Sequence, residues 1–383
     1  MRCEEVKMTF REKLPSILIY TITIAVLIGI ILFIGLQRLI NYFTDLDFEG
    51  ILMLVLLLFL LYLVDMLIRI YRWQLLLNIQ GVKLPYKSLT FPVVSALAIN
   101  LFTIARAGEA IRMYALKRNY DTKYSDTLSS IVIEQVLSIV GLLFVIIGSL
   151  FFVGSTLLQI ENSEIILQLV LIIFLVSVFG LIILLLMMVK PDIIEKFFHI
   201  FPLFIEKKLD SAYQAFQAGI KGLRSQPLHL SLGIITSASI WVIEGIMIYV
   251  IAITVFPILT LIDFPYVIAA SCVGNITFII PILPGAMGQY EVILALVLIN
   301  SPNYPGHDAA LIAFIDRIAK SVMLGIFGGY AILRLGGKEI IRLRKDFFSI
   351  SKKPNELKKK KDVNVEIEPT EKTDENKPRN KTV

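Results

Sequence analysis

Long apolar runs such as Ile51 to Ile70 and Leu230 to Phe256, interrupted only by Asp65, Arg69 and Glu244, constrain this chain more than any other feature. A run of about 20 apolar residues is what a helix needs to cross a bilayer. Backbone in hydrocarbon must satisfy its own hydrogen bonds, which leaves helices and closed barrels. A barrel would show short alternating segments, and none are visible. The composition agrees: 56% of residues are hydrophobic, 18% are charged, and the mean hydropathy is +0.77. A soluble domain carries about a quarter charged residues. The expected fold is therefore an all-α polytopic (multi-pass) integral membrane protein of the cell membrane.

Apolar runs predict helices near 15–38, 50–70, 125–153, 165–189, 230–256 and 309–334. Two further segments, 88–105 and 264–300, are apolar but broken, the first around Pro92 and Asn100. Lys and Arg cluster in 2–13, 69–87, 106–123, 190–224 and after Arg334, whereas 41–50, 154–164, 257–264 and 300–308 contain none. Basic residues mark the cytoplasmic side, so both termini are expected in the cytoplasm. Both ends of 88–105 are basic and neither end of 264–300 is. The first is thus expected to enter from the cytoplasm and return, the second to do the same from outside. This makes about six full spans and two oppositely oriented re-entrant hairpins, a nominal eight membrane segments. Opposed broken elements are what an inverted-repeat transporter presents, with its site where the breaks meet. No residue-level similarity between the halves is visible.

Residues 1–14 read as a cytoplasmic tail and not as a cleavable signal. Residues 15–335 read as the transmembrane domain, in which the less apolar 190–229 suits helices lying along the cytoplasmic interface. Residues 336–383 are basic, then of mixed charge, and read as a disordered cytoplasmic tail. Cys3 and Cys272 lie far apart, and His199, His229 and His307 share no ligand spacing. Neither a disulfide, a metal site nor a cofactor is expected. Asn275-Ile-Thr277 matches a glycosylation acceptor only by chance, since it falls in a membrane segment.

A charge within the membrane costs about 2.5–3.5 kcal/mol, so each one is a functional candidate. Glu291 follows "LPGAMGQYE", in which Pro284, Gly285 and Gly288 must break a helix. A helix restarting there offers free N–H groups and a dipole to an anion. A plain kink between two helices is the alternative. In "ARAGEAIR", Arg106, Glu109 and Arg112 step by three, which would hold Glu109 between two guanidinium groups along one side of a turn. Arginine's planar fork suits phosphate or carboxylate, and Gly108 would let a backbone or a head group come close. Here the alternative is a positive-inside stop signal. Asp65, Arg69 and Arg72 share a face of the second span, or else its arginines snorkel beside a Trp73 anchored at the interface. Glu134, Glu244, Asp316, Arg317 and Lys320 complete the set; Glu134 and Glu244 need arginine partners or water.

Together these motifs resemble the flippase-like family named for the transmembrane region of lysylphosphatidylglycerol synthase. "ARAGEAIR" is similar to its Arg-x-Gly-Glu-x-x-Arg element and "LPGAMGQYE" to its Pro-Gly-Gly-Leu-Gly-x-x-Glu element. "RWQLLL" and Arg317 also fit, and the likeness covers roughly 15–335. Ala286 replaces a glycine. "EQVLS" keeps Glu134 but has Gln135 and Ser138 where the family often has Arg and Asp, which weakens any expectation of an ion pair there. A soluble aminoacyl-transferase domain like that of the bifunctional proteins is not expected here. The resemblance implies a head-group site at Arg106, Gly108, Glu109, Arg112, Pro284, Gly285, Gly288 and Glu291; the intramembrane charges Arg72, Glu134, Glu244 and Arg317 are expected in support. It implies a membrane lipid translocase for a phospholipid, an aminoacylated lipid or a polyprenyl-linked lipid. The expected partner is a membrane lipid with a phosphate head group, and nucleic acid is not expected. With no nucleophile elbow, phosphate loop or magnesium motif, an enzyme is not expected. The alternatives are a membrane-embedded lipid-modifying transferase and a non-catalytic partner of a separate lipid-modifying enzyme.

Overall fold

The computed structural model describes residues 10–45, 47–103, 106–157, 171–172, 175, 178–179, 182, 221–222, 225–255, 263–278, 282–299 and 306–336. Every regular element among them is helical. In chain order these are α1 (Phe10–Ile34), α2 (Leu36–Asp45), α3 (Phe48–Ile79), α4 (Tyr86–Phe102), α5 (Glu109–Tyr120) and α6 (Tyr124–Leu157). They continue as α7 (Pro227–Val255), α8 (Phe264–Asn275), α9 (Gln289–Ile299) and α10 (Gly306–Arg334). Among the described residues, α3, α6 and α7 are each long and apolar enough to cross a membrane. The expected span 165–189, the interfacial 190–229 and the tail 336–383 lie mostly outside the described residues, except that 227–229 open α7; of the expected tail 1–14, residues 10–14 are instead the start of α1.

Three boundaries differ from those read in the sequence. The first span is bent: Gly35 takes a φ of 85°, and the axes on either side of it meet at 67°. The helix that was expected to end at Ile70 runs on to Ile79. Of the arginines that suggest an end there, Arg72 is buried and Arg69 half-buried, and both are paired with carboxylates on this or other helices. Pro92 lies inside an unbroken α4, and the break falls later, at residues 103–108. By contrast 264–300 breaks where Pro284 and Gly285 demand it. There α8 gives way to a 3-10 turn at Ile276–Phe278, a second at Pro284–Ala286, and then α9. None of α4, α8 and α9 reaches the roughly 20 residues of a full span.

Lipid tails are as apolar as leucine, so helix contacts in a membrane rest on close packing and polar pairing. Here α7 packs on α3 and α6, α8 lies between α6, α7 and α9, and α10 lies along α4 and α9. Ile248, Ala252, Val267, Leu294, Ile312 and Ala313 form the main buried cluster. Leu52, Met53, Leu56 and Leu60 of α3 point outward, as a lipid-facing stripe would. The approach of α10 to α4 depends on Gly328, where a Cβ would fall 2.1 Å from the Ala98 methyl carbon. Three residues earlier, Gly325 has nothing within 4 Å. Gly328→Ala should therefore lower stability in detergent by about 1–3 kcal/mol through overpacking. Gly325→Ala should cost nothing and gain up to about 1 kcal/mol from the better helix former. Thermal unfolding of the two variants side by side checks this.

Candidate functional site

The break after α4 turns on Arg106, whose φ of 55° is left-handed and unusual for a side-chain-bearing residue. Asn100 stitches this break together, accepting from the Gly108 N–H at 2.7 Å and donating to Glu109 at 3.3 Å. Gly108 is required by a backbone, not a head group: a Cβ there would sit 2.1 Å from the Ala96 carbonyl oxygen. The tight fit seats the first turn of α5 against α4 and projects Glu109 and Arg112 inward.

Glu134 of α6 stands at the centre of the first charge network. Its carboxylate accepts from Arg72 of α3 at 2.8 Å and from Arg112 of α5 at 2.5 Å, and all three side chains are buried. Arg112 also lies 3.3 Å from Glu109, which lies 3.9 Å from Arg106. Glu109 is thus held between two guanidinium groups, the closer one being Arg112. Arg106 donates to Gln135, and at 38% exposure it is the open end of the network. The substitutions in "EQVLS" therefore do not remove the ion pair; Glu134 makes two. Arg72 donates to Ser237 and does not snorkel. Trp73 is fully buried, with Arg112 4.9 Å above its ring and its own N–H on Ser130. It is not an interface anchor.

The second network occupies the other break. Gly285 (φ 56°) and Ala286 (φ 54°) are both left-handed, and Gly288 follows at 79°. The N–H groups expected to be free here are partly spoken for. The Gly288 N–H donates to Glu291 at 2.7 Å, so the anion at the start of α9 is the chain's own carboxylate. Glu291 is paired at 3.3 Å with Arg317 of α10, which also donates to the Gly285 carbonyl. The Gly285 N–H reaches the Thr103 carbonyl at 3.3 Å, and a Cβ on Gly285 would fall 2.2 Å from the Leu101 carbonyl oxygen. The two broken segments thus touch, backbone to backbone.

A third network gathers Glu244, which the sequence marked as a supporting residue, with others. Arg69 of α3 bridges Asp65 at 2.7 Å and Glu244 of α7 at 2.8 Å. Lys320 of α10 bridges Glu244 and, at 3.0 Å, Asp316, which accepts from the Tyr290 hydroxyl at 2.7 Å. Sequence reasoning missed Tyr290, Ser237, Ser130 and Gln135. Only Gln135 and Tyr290 carried a signal, each standing directly beside a glutamate already marked.

The described elements thus form a multi-pass helical membrane protein in which two broken segments meet beside paired intramembrane charges. The family described as the lysylphosphatidylglycerol synthase TM region matches residues 19–328, and the chain belongs to it. It is also 33% identical over 129 residues to a UPF0104 membrane protein of Methanothermobacter thermautotrophicus. That match covers 32% of this chain and 37% of the relative, so the chain spans well under half of the relative's length. Membership makes this a lipid-related membrane protein.

Removing one member of a buried pair strands the other and costs about 3–5 kcal/mol. Glu134→Gln takes from Arg72 its acidic partner and from Arg112 the closer of its two, and should lower detergent stability by about that amount. Lys117→Gln breaks a pair with Asp121 that is 90% exposed on the acidic side. Its effect should be too small to resolve beside that of Glu134→Gln. Thermal unfolding of the two variants compares them directly.

Proposed function

We propose that this protein is a lipid translocase, moving a lipid with an anionic phosphate head group between the leaflets of the cell membrane. The reading is carried by the contact of the two broken segments beside an arginine network that is left one positive charge in excess. Arg72, Arg106 and Arg112 face two carboxylates, Glu109 and Glu134, and only Arg106 opens outward. A phosphate would be received by Arg106 and drawn toward Arg112, with Glu109 orienting both guanidinium groups. Pro284, Gly285, Gly288, Glu291 and Arg317 would form the facing wall, closing when the Gly285–Thr103 contact forms and opening when it parts. No bond in the lipid changes, so the role is transport and not catalysis. A transferase would reveal itself by product formed from labelled lipid donors, and a scaffold by site variants that lose a partner enzyme but not transport.

The test is transport of a head-group-labelled phosphatidylglycerol in proteoliposomes, read by chemical quenching of the outer leaflet. Arg106 is outside the buried pairs, so Arg106→Gln should fold normally. Loss of one charge-assisted contact, worth about 1.5–3 kcal/mol, should slow translocation roughly 10- to 100-fold. Wild-type rates in that variant would end this assignment.

The basic-residue bias supports both termini in the cytoplasm, with 88–105 entering and leaving on that side and 264–300 on the other. Lys87 and Lys123 are exposed near the start of α4 and just past the end of α5. With Cys3 replaced by serine and Cys272 buried, Lys87→Cys and Lys123→Cys should both react with an impermeant maleimide from the cytoplasmic face only. Labelling from opposite faces would make α4–α5 a crossing and not a hairpin.

A further inference from the structure

The third network is unused by head-group recognition, and its charges do not balance. Asp65, Glu244 and Asp316 are served by two cations, Arg69 and Lys320. The service is uneven. Glu244 takes both cations, and Asp316 takes Lys320 and the Tyr290 hydroxyl. Asp65 has Arg69 alone, shared with Glu244. Among the described residues its Oδ1 has no hydrogen-bond partner, although the residue is only 1% exposed. The Tyr62 hydroxyl, one turn earlier on α3, is also buried without a partner. The other titratable groups around this cluster among the described residues are Tyr290 on α9, Cys272 on α8, which faces Glu244, and the Glu291–Arg317 pair beyond Asp316.

An ionised carboxylate oxygen left without a donor in this setting is costly. A proton on Oδ1 removes the excess charge and leaves there, as at the Tyr62 hydroxyl, a neutral polar group, which costs far less without a partner than an ion does. A metal cation fits worse, since it asks for about six oxygens and only these two are unclaimed.

The neighbouring arginine network carries the opposite excess. Arg69 stands three residues before Arg72 on α3, near enough for its charge to act on both Arg72 and Arg112. While the head-group site is empty, the positive excess there offsets the negative excess around Asp65. A phosphate on Arg106 and Arg112 cancels the positive one and leaves the negative one exposed, in surroundings where charges are poorly screened. We propose that Asp65 takes up a proton from solution when an anionic phosphate head group occupies the Arg106–Arg112 network, so that lipid anion and proton are bound and carried together. The step forms one O–H bond on the Asp65 carboxylate and breaks none in the lipid. It rests on the head-group reading above.

The experiment uses the purified full-length chain in detergent, with short-chain phosphatidylglycerol as the anionic probe and phosphatidylcholine as the zwitterionic one. Affinity is measured between pH 6 and 8, and proton uptake is followed with a dye in weak buffer. Coupled uptake of one proton should tighten phosphatidylglycerol binding by up to about tenfold per pH unit as the pH falls. It should bring about one proton into the protein per lipid bound. Phosphatidylcholine, which brings no net charge, should do neither. Asp65→Asn, isosteric with the protonated acid, should bind phosphatidylglycerol with an affinity independent of pH and take up no proton. Asp316→Asn should retain uptake. Wild-type binding that is intact but insensitive to pH overturns the coupling and leaves head-group recognition standing. Uptake that survives in Asp65→Asn overturns the assignment to Asp65. Failure of the wild type to bind phosphatidylglycerol at all overturns the head-group reading and the coupling with it. The wild-type measurements decide the coupling even if a variant does not fold, and Asp65→Glu, which keeps a titratable carboxyl, should retain uptake if the proton resides there.

Discussion

A charge buried in hydrocarbon must find an opposite charge on another helix, and in this protein that requirement decides which helices touch. Glu134 of α6 draws in Arg72 from α3 and Arg112 from α5. Glu244 of α7 draws in Arg69 from α3 and Lys320 from α10. Apolar side chains give little preference for one neighbour over another when lipid is as good a solvent as protein. The glutamates supply that preference. Each is served by two cations, so losing either carboxylate would loosen three helices at once.

The same helices hold the broken segments in register. Irregular backbone at membrane depth survives only where other protein groups or water satisfy it. The turn at Pro284–Gly288 meets that condition through Thr103, Arg317 and its own Glu291. The turn at 103–108 meets it through Asn100. Because Gly285 rests directly on the end of α4, the two turns share a boundary. A rearrangement of one would be felt by the other without any intervening element. Left-handed backbone at the side-chain-bearing Arg106 and Ala286 concentrates strain at this boundary, as functional sites often do.

Charge is distributed unevenly around the boundary. The arginine network has one cation too many, the Asp65–Lys320 network has one carboxylate too many, and Glu291 with Arg317 is neutral. The first two are joined through α3, on which Arg69 and Arg72, one turn apart on one face, serve one network each. A helix that carries both is well placed to let events in one network be felt in the other, because low dielectric carries charge effects farther than contact does.

Much of this was legible in the sequence. Apolar runs located α3, α6, α7 and α10, and the Pro-Gly sequence located the second break. The spacing in "ARAGEAIR" anticipated Glu109 between two guanidinium groups. These are local properties, set by backbone chemistry and by residues a turn apart. The bend at Gly35 and the passage of α4 through Pro92 were not legible, because neighbouring helices decide whether a breaker breaks. Nor was the fate of Glu134, whose Arg72 partner lies 62 residues away, or of Glu244, 175 residues from Arg69. The sequence by itself determined that the chain is a helical membrane protein with too many buried charges to be inert. Which charges pair, that Gly108 serves a backbone, and that Glu291 caps its own helix were decided by tertiary structure, since each depends on distances between helices that no periodicity along one helix encodes.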